Sequence, residues 1–241
     1  MPSNYFKIGL IVPSSNTVME PDFHRVLGAG CAISTSRVYL EQVTRDAEQA
    51  MIDDDLPKAL RLIKTTDPQV IVFGCTSAGS LSGLQGDAGI ARRIEEQTGV
   101  RALTVVGSVI EQLKAIQPRK VAVFTPYRDE LTRTVAECVT QAGYELGTVA
   151  GMGILANREI GRVTPAEIAE FVESRMKGAA VDCIFLSCTN WQAIDAIAAV
   201  KARFGLPVIT SNQATIDAVR QVAMAFEAVP SAHVPAGSQP L

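Results

Sequence analysis

The sequence predicts an α/β protein made of two similar half-domains. Each is a parallel, helix-covered sheet, the two are related by a pseudo-twofold, and the active site lies in the cleft between them. Three observations lead there. Short β-branched runs alternate with amphipathic helical stretches along the whole chain, the pattern of a mainly parallel sheet covered on both faces. Two of those runs, Val70–Phe73 and Cys183–Leu186, are wholly apolar, as strands buried on both sides are. The chain also repeats itself. KIGLIVPSSN from Lys7 and KVAVFTPYRD from Lys120 stand 113 residues apart, and so do the Cys-Thr pairs at Cys75 and Cys188. A third pair, GVRALTVVGS from Gly99 and GLPVITSNQA from Gly205, is offset by 106. The halves are therefore placed at residues 1–115, carrying Cys75, and 116–229, carrying Cys188. Residues 230–241 are expected to form a disordered tail.

In chain order, Lys7–Val12 reads as a strand, Pro13–Asn16 as the loop after it and Pro21–Leu27 as a helix. Ala32–Val38 is expected as a second strand. Leu40–Thr65 has helical periodicity, with Pro57 dividing it. Val70–Phe73 is the third strand. Gly74 through Gly86 reads as a Gly/Ser-rich loop, Ile90–Gln97 as a helix, Ala102–Val106 as a strand and Val109–Ile116 as a helix. The pattern then restarts with a strand at Lys120–Phe124 and a helix at Asp129–Ala142. Thr164-Pro165-Ala166-Glu167 opens a helix with a capping box and proline in its first position. Cys183–Leu186 and Pro207–Thr210 are strands, and Trp191–Ala202 and Ala214–Ala228 are helices. Ligands of open α/β sheets sit beyond the carboxyl ends of the strands. Those ends carry Pro13–Asn16, Cys75–Ser77, Pro126–Arg128 and Cys188–Asn190.

Composition narrows the function. Of 241 residues, 47% are hydrophobic and 20% charged, as in a globular enzyme, and the net charge is −3. No basic run marks a nucleic-acid partner, and no apolar stretch is long enough to span a membrane. The first residues lack the layout of a signal peptide, so the expected location is cytoplasmic. Five cysteines with neither a disulfide framework nor zinc-ligand spacing, and only two histidines, leave little material for a metal site or a histidine triad. No nucleotide-binding glycine motif is present, and neither metal nor cofactor is expected.

The chemistry therefore falls on thiols. Cys75 and Cys188 each follow a strand and precede a threonine and a small polar residue. Backbone N–H groups beyond a strand end favour a thiolate and bind anions. Thr189 or Asn190 is expected to cap the helix that follows Cys188. Such thiols in a cleft would be accessible and easily oxidised. Cys183, within a strand, and Cys138, within a helix, read as structural. Tyr127 can hydrogen-bond a substrate oxygen or simply pack in its loop, and Asn16 can hold a carboxylate or serve its turn. Asn157 reads, from spacing alone, as a loop residue.

Five motifs in order, PSSNTVMEPDF, GCTSAG, FTPYRDEL, ANREIG and SCTNW, resemble the maleate cis–trans isomerases of the aspartate/glutamate racemase superfamily, with arylmalonate decarboxylases as close relatives. The resemblance extends to about residue 228. It implies that Cys75 is the nucleophile and Cys188 the second cysteine, which handles a proton. It assigns Asn16, Tyr127 and Asn157 to the substrate carboxylates, and the amides of Thr76, Ser77, Thr189 and Asn190 to anion binding. It implies a small dicarboxylate substrate, maleate, and a homodimer. Decarboxylases of this superfamily carry glycine at the first cysteine position, and Cys75 argues against that activity. Two other readings share the scaffold. One is a two-cysteine racemase of amino acids or hydantoins. The other is a ligand-binding or regulatory protein.

Overall fold

The structure is a computed structural model that describes residues 5–176, 178 and 180–227; the expected disordered tail lies outside the described residues. Two four-stranded, all-parallel sheets form its frame. In the first, β1 (Phe6–Pro13), β2 (Cys31–Val38), β3 (Val70–Phe73) and β4 (Ala102–Thr104) stand in the order β2-β1-β3-β4. In the second, β5 (Lys120–Thr125), β6 (Glu145–Gly151), β7 (Cys183–Leu186) and β8 (Val208–Thr210) stand in the equivalent order β6-β5-β7-β8. The equivalence follows the sequence repeat strand for strand. The wholly apolar runs become β3 and β7, buried along their full length beside β1 and β5. Burial on both faces is what their lack of alternation requires.

The helices are α1 (Met19–Leu27), α2 (Arg45–Ala50), α3 (Leu56–Ile63), α4 (Thr76–Ser80), α5 (Gly83–Thr98), α6 (Val105–Ile116), α7 (Asp129–Gln141), α8 (Asn157–Ile160), α9 (Pro165–Arg175), α10 (Ala193–Phe204) and α11 (Ser211–Glu227). The last helix of each half packs on the other half. α11 lies against α1, β3, β4 and α6, and α6 touches β8. This exchange, with α4 and α5 packed on α7, joins the halves through one continuous apolar core.

Four expectations are corrected. Pro57 does not divide a helix. The chain runs from α2 into α3 through a π-helical turn, Met51–Asp55, and Pro57 sits in the first turn of α3. A proline has no N–H to donate and is tolerated at a helix start, and the widened turn leads the chain into it without a break. The Gly/Ser-rich stretch after Cys75 is not a loop but α4 and the start of α5. Its glycines are needed for contact: a side chain on Gly79 would lie 2.7 Å from the Asp87 carboxylate. The strand β6 was absent from the expected elements, because two glycines dilute its β character. A side chain on Gly151 would collide with the Tyr127 carbonyl. Finally, α10 begins at Ala193 with Gln192 as its cap, so neither Thr189 nor Asn190 caps it. The capping box at Thr164 and Glu167 forms as expected.

Candidate active site

Cys75 is set by its predecessor. Gly74 donates its N–H to the Ile11 carbonyl at 2.7 Å, and a side chain there would lie 2.6 Å from Met19 Sδ and 2.9 Å from Ile11 O. Only glycine lets β3 end this close to β1. The chain then turns, with Cys75 extended as the residue before α4. The Cys75 sulfur faces the Ser77 hydroxyl at 3.7 Å and the Ala78 N–H.

Cys188 is held in the matching position after β7. The Asn190 N–H meets its sulfur at 3.3 Å, and the Tyr127 hydroxyl hydrogen-bonds it. Tyr127 hangs from the turn after β5, where its N–H is bound by Thr125 Oγ1 at 3.1 Å. The two strand ends are tied directly, since Thr189 Oγ1 donates to the Gly74 carbonyl at 3.0 Å. Asn16 Nδ2 donates to Thr189 Oγ1 at 3.0 Å, while Asn16 Oδ1 takes the Val18 and Met19 N–H groups that lead into α1. Asn190 accepts from the Thr17 N–H at 2.9 Å and donates to the Asn157 carbonyl at 2.7 Å. Asn157 opens α8, not a loop, and donates to Ser15 Oγ at 2.8 Å. Thr76 Oγ1 donates to Ser211 Oγ at 3.0 Å. All nine residues singled out in the sequence thus lie where the two halves meet. The amides of Asn16 and Asn157 each keep one hydrogen beyond these bonds.

The site is closed. Cys75 and Cys188 are each 3% exposed, and the other seven residues are equally buried. Beside the site the halves are stitched by backbone: Val43 N–H to Leu155 O at 2.8 Å, Asn157 N–H to Glu41 O at 2.9 Å, and an antiparallel bridge between Gln42 and Ala156. Neither thiol is open to solvent in this arrangement.

Closure reverses one expectation. The cysteines are neither accessible nor acidic in this state. Burial pushes the Cys188 thiol up to about 12, against the Tyr127 and Asn190 hydrogen bonds that favour its thiolate. Burial pushes Cys75 up as well, and the nearby Glu48 adds to this. Tyr127 is raised by burial and then by the two cysteines. Both sulfurs therefore rest as thiols in this buried arrangement. Because desolvation is the leading cause, opening the site to water brings Cys75 back toward ordinary thiol acidity.

One residue at the site was missed. Glu48 on α2 is completely buried, accepts a hydrogen bond from Ser77 Oγ, and interacts electrostatically with Cys75, Tyr127 and Cys188. Its Oε2 has no hydrogen-bond partner among the described residues. The signal was present: Glu48 stands three and four residues before Met51 and Ile52, on the stripe that buries them. Among the described residues no group of three or more His, Cys, Asp or Glu side chains is arranged to hold a metal ion. No helix among them is long and apolar enough to cross a membrane.

Comparison with known proteins places this geometry. The sequence profile of the family described as arylmalonate decarboxylase (Amdase) matches residues 8–234. The maleate isomerase of Pseudomonas putida is 29% identical over 223 residues, which are 87% of this chain and 88% of that protein. The arylmalonate decarboxylase of Bordetella bronchiseptica is 29% identical over 215 residues, 88% of this chain and 89% of that protein. The crystal structure of the maleate isomerase Iso from another Pseudomonas putida strain superposes with a TM-score of 0.85 at 26% identity, covering 91% of this chain and 93% of that one.

Proposed function

We propose that this chain, which belongs to the arylmalonate decarboxylase (Amdase) family, catalyses the cofactor-independent cis–trans isomerisation of maleate to fumarate, with Cys75 as nucleophile and Cys188 as its acid/base partner. The observation that carries this reading is the pair of buried thiols at equivalent strand ends, joined through the Thr189–Gly74 bond and accompanied by hydrogen-bond donors. The arylmalonate decarboxylase whose Gly74Cys mutant has been solved carries glycine at its position 74, and the presence of a cysteine at position 75 here favours the isomerase.

The chemistry follows from the impossibility of rotating a carbon–carbon double bond at ambient temperature. The Cys75 thiolate forms while the site is open to water. It adds to one alkene carbon, and the π electron pair moves to the adjacent carbon and its carboxylate. Asn16, Tyr127, Asn157 and the amides of Thr76, Ser77, Thr189 and Asn190 stabilise that charge. Cys188, held as a thiol, donates its proton to the carbanion. The central bond is now single and rotates. The Cys188 thiolate takes a proton back from that carbon, the double bond re-forms in the trans geometry, and Cys75 leaves as the thiolate. The Tyr127 hydroxyl and the Asn190 N–H hold Cys188 ready for its thiolate phase.

The test is proton NMR of freshly reduced protein with maleate, beside Cys75→Ala. Fumarate is expected from the wild type and not from the variant. No fumarate from the wild type rejects the reaction and moves the search to racemase substrates in D2O. Two further proposals complete the reading: the protein works as a homodimer in the cytoplasm. Light scattering on the purified protein tests the first, and fractionation of the source cells tests the second.

A further inference from the structure

We infer that Glu48 acts as a neutral carboxylic acid that donates a hydrogen bond from Oε2 to a substrate carboxylate, making it a specificity-determining residue of this site. The inference rests on the proposed dicarboxylate substrate. It begins with an imbalance in hydrogen bonding. Glu48 Oε1 is the acceptor of the Ser77 hydroxyl, while Oε2, fully buried, has no partner among the described residues. A buried carboxylate oxygen left bare is costly; a carboxylic acid O–H aimed at a ligand resolves the imbalance once the ligand binds. Ser77 places this group beside the nucleophile, because its hydroxyl is also 3.7 Å from the Cys75 sulfur.

The surroundings favour the neutral form. The groups facing Glu48 are Cys75 and Ser77 from the β3–α4 turn, Tyr127 after β5, Cys188 after β7, and Arg45 on its own helix. Only Arg45 carries a charge at neutral pH. It is partly exposed, and it spends its guanidinium on the Leu81 carbonyl and on Glu130. Burial raises Glu48 to about 8, against Ser77 and Arg45. An ionised Glu48 would oppose both a dianionic substrate and the Cys75 thiolate; a neutral one opposes neither.

The test separates binding from turnover. Cys75→Ala removes turnover and the Cys75 titration, so maleate can be titrated into it by calorimetry between pH 7 and 9.5. Over that range Glu48 is the facing group that changes charge, since Cys188 and Tyr127 titrate higher. Affinity is expected to fall about tenfold between pH 7 and 9 as Glu48 ionises. Adding Glu48→Gln, which keeps a donor and cannot ionise, should leave the affinity at pH 7 within about threefold and flatten the dependence. Glu48→Ala should weaken binding about ten- to a hundredfold at pH 7. In the wild-type background, Glu48→Gln should lose less turnover than Glu48→Ala, because it keeps a donor at that position. An unchanged pH dependence in the Gln variant, or loss of turnover as complete as in the Ala variant, overturns the inference while leaving the isomerase reading intact. Absence of fumarate from the wild type, with maleate bound and pH-dependent as described, would reject the isomerase reading and keep this one.

Discussion

Replacing Tyr127 by phenylalanine removes one hydroxyl and nothing else from the centre of the site. The ring is 2% exposed and stays packed, and the backbone anchors of residue 127, its N–H on Thr125 Oγ1 and its carbonyl receiving the Gly153 N–H at 3.0 Å, survive. What disappears is the hydrogen bond to Cys188, which is charge-assisted whenever Cys188 is a thiolate. Bonds of that kind contribute about 1.5–3 kcal/mol. If all of it is felt in the steps that pass through the Cys188 thiolate, turnover falls about ten- to a hundredfold. Fold stability should change by less than about 1 kcal/mol, because no other partner of the hydroxyl is orphaned. The assay is the initial rate of fumarate formation by NMR, with urea midpoints measured on the same preparations. Turnover within about threefold of the wild type at unchanged stability would refute the reasoning, and Tyr127 would then be a packing residue.

Three further outcomes follow from the geometry. Gly74→Ala should cost about 1–3 kcal/mol in urea unfolding, since the added methyl meets Met19 Sδ at 2.6 Å and Ile11 O at 2.9 Å, and should lower turnover further by shifting Cys75; full activity would show that the turn tolerates the move. Asp87 is raised by burial from 3.8 to about 6, despite its bonds from Thr104 Oγ1 and the Gly107 N–H. Its folded form therefore holds the proton more tightly than the unfolded chain does, so its stabilising contribution is complete below about pH 3.8 and is lost as pH rises through about 6. Unfolding free energies from urea titrations at pH 5 and 7.5 should accordingly differ less in Asp87→Asn than in the wild type, by about 1.4 kcal/mol, and equal pH slopes would contradict the assignment. In alkylation by iodoacetamide at pH 8, half-buried Cys31 on the edge strand β2 should be modified at least about tenfold faster than Cys75 and Cys188; equal rates mapped by mass spectrometry would mean that the closed state is not dominant.

The repeat made the architecture legible. A shared offset of 113 residues between strand-end motifs is a statement about topology, and the two sheets carry it in the same strand order. The placement of Cys75, Cys188, Tyr127, Asn16 and Asn157 at one junction was likewise readable, because strand ends in a parallel sheet converge on one side. Elements whose logic is tertiary were harder. β6 owes its glycines to close contact with the Tyr127 turn and Val181, which local propensity does not encode. The glycines after Cys75 look like loop residues but lie in helices, where Gly79 and Gly86 have no room for a side chain against Asp87 and Ser82. Glu48 hid among the acidic residues of α2, where an exposed face is the ordinary expectation. The acidity of the thiols was misread for a related reason: the strand-end amides are present, but burial outweighs them in the closed site.

The central claim is that Cys75 forms a covalent bond to the substrate and Cys188 moves the proton. Intact-protein and peptide mass spectrometry of Cys188→Ala after incubation with maleate tests it most directly. With Cys188 gone, water protonates the carbanion in its place but no positioned base reclaims the proton, so the succinyl thioether is not eliminated efficiently and an adduct on Cys75 should accumulate. Wild-type turnover without any trapped adduct, or an adduct on a different cysteine, would contradict the account.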